Sequence, residues 1–139
     1  MTNSQIKQGP ASIESAVDEV LAAPGVVDSA IKAEEDGVQA VVIDCMLDPG
    51  LDAAREAVSI PVIGCCEAAM RAAGTNFAIV TVLQRQERAF ADLARRYGMA
   101  DRMTEIIGIG VPVLALKSDR KTALAATIES SRRAMERGA

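Results

Sequence analysis

Four short apolar runs punctuate the chain: QAVVID (39–44), IPVI (60–63), FAIVTV (77–82) and VPVLAL (111–116). Each is rich in Val or Ile and too short for a buried helix, which is the pattern of strands covered on both faces. The segments between them carry helical spacing. Phe90, Leu93, Ala94 and Tyr97 fall at i, i+3, i+4 and i+7, and Leu124, Ile128 and Met135 form a similar stripe near the end. Gly98 reads as a helix stop. Upstream, 13–21 and 26–36 read as two helical pieces interrupted by Pro24-Gly25, with Gly37 closing the second. Strands alternating with helices predict an α/β fold, a mostly parallel open sheet flanked by helices. A division near Gly74 gives two parts, 1–74 and 75–139.

Composition narrows the function. At 139 residues, half of them apolar, the chain can bury a substantial core. A formal charge of −4, one Tyr, two Phe and no Trp leave neither the basic footprint nor the stacking surfaces of a nucleic-acid binder. No apolar stretch approaches the roughly 20 residues of a membrane helix. The polar start MTNSQIKQG matches neither a signal nor a transit peptide, so the cytoplasm is the expected compartment. Three cysteines cannot all pair within one chain and are read as thiols. With no histidine, the commonest metal ligand and general base are both missing, so any chemistry must run on Cys, Asp, Glu, Lys, Arg or Tyr.

Against that background the stretch VVIDCMLDPGLDAAREAV, 41–58, stands out, because it places Cys45 where a buried strand gives way to a helix. In open parallel sheets, ligands bind beyond the carboxyl ends of the strands. Asp48 reads as an N-cap, Pro49 as a first-turn residue and Gly50 as a point of close backbone approach, with a helix over about 49–57. Free N–H groups there can hold an anion and favour thiolate, lowering the Cys45 pKa from its reference of about 8.5. A thiolate beside an anion hole can remove a proton from carbon next to a carbonyl and stabilise the enolate. The competing reading is a small buried hydrophobe, a common use of free cysteine.

The run DCMLDPGLDAAREAVSIPVIGCCEAAM, with GPASIE before it and FAIVTVL and VPVL after it, resembles the aspartate/glutamate/hydantoin racemase superfamily, particularly its hydantoin and allantoin racemase branch. The match runs from about Gly9 onward. The resemblance implies a cofactor-independent racemase with a pseudo-symmetric two-domain fold, in which two cysteines, one from each half, face the substrate stereocentre. One removes the α-proton and the other supplies a proton to the opposite face. Cys45 matches the first of them. The peptide N–H groups of Met46 and Leu47, with Asp48 beside them, fall where the family binds substrate, and Thr81 matches a strand-end position near the cleft. Some relatives of this branch carry a hydrogenase-expression label.

The chain also departs from the family pattern. It begins without the expected first strand and its Asn-rich loop, and it stops at ERGA, before the expected second cysteine; it reads as a family member lacking its first strand and roughly its last third. Cys65 and Cys66 follow the IPVI strand on the same edge as Cys45, so they read as small packing residues rather than as the opposed acid-base group. Glu67 reads as a first-turn residue complementing the helix dipole. Asp44 could tune the thiol or orient the loop. The basic residues around RRAMER read as a solvated helix face.

The expected function is racemisation or epimerisation of a carbon acid such as a hydantoin, allantoin or an acidic amino acid. The partner is a small-molecule substrate, with neither nucleic acid nor membrane. The alternatives are a non-catalytic accessory protein of the same fold and a decayed fragment. Exposed strand edges and apolar patches in so short a chain point to a homo-oligomer.

Overall fold

The computed structural model describes residues 4–139 and divides into two compact units, Met1–Ala68 and Ala69–Ala139. The first unit opens with α1 (Ala16–Glu35). Its N-cap is Ser15, whose hydroxyl accepts from the Asp18 N–H at 3.2 Å and donates to the Asp18 carboxylate at 2.7 Å. Strand β1 (Val41–Ile43) follows, then α2 (Leu51–Ala57) and β2 (Val62–Gly64). β1 and β2 pair in parallel, Val41 opposite Val62 and Ile43 opposite Gly64. Ile43, Leu47, Leu51, Ala54 and Val62 are buried in this unit. Helix α3 (Cys65–Ala72) starts directly at the end of β2 and carries the chain across the division between units.

The second unit is built on β3 (Phe77–Thr81) and β4 (Met103–Gly108), again parallel, with Thr81 opposite Gly108. Between them α4 (Glu87–Arg96) buries Phe90, Leu93 and Ala94, and Tyr97 just beyond it is buried too, as the spacing predicted. Each large side chain of that stripe contributes roughly 1.5–3 kcal/mol by leaving water. Gly98 follows at φ 69, the left-handed conformation that ends the helix. Helix α5 (Arg120–Glu136) closes the unit, contacting both β3 and β4.

The α/β class and parallel pairing agree with the sequence, and four elements depart from it. Residues 16–35 form one continuous helix, with Pro24 inside it. The break expected at Pro24-Gly25 is absent, and just beyond it the Ser29 hydroxyl donates to the Gly25 carbonyl at 2.7 Å. VPVLAL is not a strand. Val111 donates to the Val82 carbonyl, but Pro112 then removes the next donor and 113–115 wind into a 3-10 turn. The fourth strand is MTEIIG, whose two polar residues hide the pattern. Thr104 donates to the Phe77 carbonyl at 3.1 Å. Glu105 Oε1 accepts from Arg133 at 2.8 Å and Arg137 at 2.9 Å, so two exposed arginines of the basic run tie the end of α5 to β4. Finally, α5 packs through Ala123 and Ala134, leaving Leu124, Ile128 and Met135 exposed at 57%, 44% and 70%. Ala123 and Ala134 are the buried residues of this helix.

A proline within a helix forfeits one hydrogen bond and crowds the preceding turn. Pro24→Ala is therefore expected to stabilise the protein by about 1–2 kcal/mol in urea unfolding. A loss of stability would indicate that Pro24 sits at a break.

Candidate active site

Cys45 lies just beyond β1 at the carboxyl edge of its ladder, the side on which ligands bind in parallel α/β folds. The chain turns there. The Asp48 N–H donates to the Cys45 carbonyl at 2.9 Å, closing a four-residue turn over 45–48, and Leu51 then donates to the Asp48 carbonyl at 3.2 Å. Within the turn Met46 is exposed and Leu47 is buried. The Leu47 peptide N–H is directed at the Cys45 sulfur.

Asp48 does not cap the helix that follows it. The N-cap of α2 is Gly50, at φ 69, and no side chain serves it. Asp48 is itself buried and left-handed, at φ 45. Its two carboxylate oxygens accept from the Cys66 and Glu67 N–H groups, each at 2.9 Å. The residue thus caps α3, across the ladder, and the donors that start that helix are occupied by a protein carboxylate. Gly64 makes this approach possible: a Cβ there would lie 2.5–2.7 Å from the Asp48 carboxylate atoms. A second tie fixes the start of α3. Arg55 donates through Nε to the Val62 carbonyl at 3.0 Å and through its guanidinium to the Glu67 carboxylate at 2.8 Å. Glu67 is the first-turn residue the sequence suggested.

This arrangement reverses the expected electrostatics of the thiol. Burial raises the Cys45 pKa above the ordinary thiol value, and the charges of Asp48, Glu19 and Asp44 add to the rise; the Leu47 N–H works against them. The expected lowering fails because α2 begins six residues beyond the thiol, at Leu51, with a buried carboxylate in between. The neighbouring thiols are shifted further. Burial, then Asp48, push Cys65 up to about 11 and Cys66 up to about 12. Cys66 is wholly buried, whereas Cys65 is partly exposed and donates its S–H to the Met46 sulfur at 3.5 Å.

Thr81, the other residue singled out, ends β3 in the second unit, half-buried. Its hydroxyl donates to Gln86 Oε1 at 2.8 Å, which leaves its oxygen lone pairs as acceptors. Around it lies a set of polar contacts that hydropathy did not flag. Gly108 donates to Glu87 Oε1 at 3.0 Å and accepts from Gln84 Nε2 at 2.8 Å, fixing the carboxyl end of the β3–β4 ladder. Among the described residues no group of three or more His, Cys, Asp or Glu side chains could hold a metal ion.

The first unit is thus a parallel α/β unit that presents a cysteine at the edge where strand passes into turn. The chain belongs to the Asp/Glu/hydantoin racemase family, whose sequence model matches residues 2–139. It is 41% identical over 133 residues to the hydantoin racemase of Pseudomonas sp. (strain NS671), an alignment covering 94% of this chain and 53% of that protein. It is 42% identical over 117 residues to the hydantoin racemase of Rhizobium meliloti, covering 82% and 48%. In structure it is similar to the allantoin racemase from Klebsiella pneumoniae, with a TM-score of 0.91 and 39% identity over 95% of this chain and 56% of that one. The allantoin racemase from Pseudomonas fluorescens superposes with a TM-score of 0.86 at 26% identity, over 96% and 56%. The chain spans about half the length of these relatives.

The order of thiol reactivity follows from the site. Iodoacetamide labelling resolved by residue should find Cys45 reacting first, then Cys65, then Cys66, with the Cys45 rate still rising above pH 9. Asp48→Asn should bring the Cys45 pKa down, since the Asp48 charge raises it. Asp48→Ala should cost about 2–4 kcal/mol of stability by uncapping α3. A Cys45 pKa below the reference of about 8.5 in the unmodified protein would contradict this account.

Proposed function

We propose that this chain carries the cysteine-bearing half of a cofactor-independent racemase or epimerase acting on a carbon acid next to a carbonyl. A hydantoin, allantoin or an acidic amino acid is the substrate class. The observation that carries the reading is Cys45 at the carboxyl edge of β1, in a turn whose Leu47 N–H is aimed at the same small space, within a chain of this family. In this reading the Cys45 thiolate takes the α-proton and the thiol returns it, while the Met46 and Leu47 peptide N–H groups receive the substrate oxygen as negative charge develops. Asp48 acts as a positioning residue, holding the turn through its bonds to α3. Thr81 is proposed as a substrate contact through its hydroxyl oxygen. The cytoplasm is the compartment this reading implies, because the mechanism needs Cys45 as a free thiol.

The three cysteines all fall in the first unit, on one edge of one ladder. A planar intermediate served from one side regains its proton on that side. The 139-residue polypeptide is therefore proposed to exchange the α-proton of its substrate for solvent deuterium faster than it inverts the centre. Because the resting thiol is protonated at neutral pH, exchange should climb with pH through and beyond the ordinary thiol range. Proton NMR of L-5-substituted hydantoins and of allantoin in deuterium oxide, alongside polarimetry and a protein-free control, measures both rates. Cys45→Ser should lower exchange at least about 100-fold. Racemisation that survives Cys45→Ser would overturn the mechanism and the site together, and failure to exchange any of these carbon acids would favour a non-catalytic binding role on the same scaffold.

We also propose self-association through α5. Leu124, Ile128 and Met135 share one helix face and are exposed, a surface that gains by leaving water. Sedimentation should give a concentration-dependent mass above that of one chain, and Ile128→Glu should shift it toward the monomer. A monomer at every concentration would remove the idea.

A further inference from the structure

The sequence brings a second thiol to Cys45 that the proton-transfer reading does not use. The ladder register leads to it: Ile43 opposite Gly64 is the last pair, Cys65 follows Gly64 directly, and Cys45 comes two residues after Ile43. Adjacent strands lie about 4.8 Å apart, so residues leaving the same end of two paired strands start close to the roughly 4.4–6.8 Å between Cα atoms that a disulfide spans. The side chains converge as well. The Cys45 peptide N–H is directed at the Cys65 sulfur, which places that sulfur against the backbone of Cys45, from which the Cys45 side chain branches. On its other side the Cys65 sulfur rests on Met46 at 3.5 Å, so the turn over 45–48 wraps it. Both thiols are partly exposed, whereas Cys66, although adjacent in sequence, is fully buried.

We propose that Cys45 and Cys65 form a reversible intrachain disulfide, making the turn after β1 an oxidative modification site. With a peroxide the balance is simple. The Cys45 thiolate attacks one peroxide oxygen and breaks the O–O bond, giving a sulfenic acid and, after protonation, water. The Cys65 thiolate then attacks the Cys45 sulfur, forming the S–S bond and expelling hydroxide, which becomes a second water. The two thiols lose two electrons and the peroxide gains them. A low-molecular-weight disulfide serves equally, each of its sulfurs leaving as a thiol through a mixed disulfide. Thiol reductant reverses the bond. The cross-link rests on geometry alone; its consequence, that the oxidised chain has no Cys45 thiolate to offer a substrate, rests on the reading of Cys45 given above.

Tryptic peptide mapping after treatment with hydrogen peroxide or glutathione disulfide tests the bond without any activity measurement. Trypsin leaves Cys45 in the peptide 33–55 and Cys65 with Cys66 in the peptide 56–71. The expected product is these two peptides joined, about 2 Da lighter than their sum, with fragmentation placing the bond on Cys65. It should form in Cys66→Ala, vanish in Cys65→Ala, and disappear on adding dithiothreitol. It should also form faster as pH rises, because both thiols titrate above the ordinary range. A bond from Cys45 to Cys66, a bond between Cys65 and Cys66, a cross-link between chains, or stepwise oxidation of Cys45 with no bond at all would each overturn the proposal. If the bond forms while deuterium exchange is absent, the modification site stands and the catalytic reading falls.

Discussion

The Asp48 carboxylate is the pivot of the first unit. By accepting the Cys66 and Glu67 N–H groups in the first turn of α3 it joins the turn after β1 to the element after β2, two pieces that the parallel ladder brings side by side but does not bond. Charge-assisted bonds to a helix start contribute more than neutral ones, and these are buried, so little solvent competes with them. The left-handed backbone at Asp48 is the local cost of aiming the side chain that way. The path of the turn that presents Cys45 depends on this contact, and after burial the Asp48 charge is a shared cause of the upward shift of all three thiols.

The contact also shapes the chemistry available. A helix N-terminus beside a cysteine ordinarily promises a reactive thiolate, but here the N-terminus of α3 already holds an anion of the protein's own. Asp48 therefore acts twice: it organises the turn and it opposes ionisation of the residue the turn presents. A group kept protonated at rest is well matched to giving a proton. In the proposed reading it is drawn into the role of base by what binds next to it, and the Leu47 N–H pulls in that direction.

Much of this was legible in the residues, and the failures have physical causes. Dense Val and Ile marked β1, β2 and β3 to within a residue or two, and the α4 stripe gave its buried face correctly, because local pattern and tertiary burial agree there. β4 stayed hidden since Thr104 and Glu105 are used for specific polar contacts rather than burial. VPVLAL has a strand's composition, yet its proline withholds the donor a ladder needs. Leu124, Ile128 and Met135 have helical spacing but are exposed, and Ala123 and Ala134 are the buried residues of that helix. Cys45 was located by its place after a strand, a short-range signal. The thiol's upward shift comes first from burial and then from charges that include a carboxylate reaching across to another helix, and local sequence spells out neither.

Gly64 has a consequence beyond geometry. Since any side chain at 64 would occupy the space of the Asp48 carboxylate, the two positions form one unit of inheritance. A lineage that acquired even a methyl group at 64 would have to surrender the acid at 48, and with it the cap on α3. It would thereby loosen the turn and release the thiol from its nearest opposing charge in a single step. Drift at a residue with no side chain could in this way retune the reactivity of a cysteine it never touches.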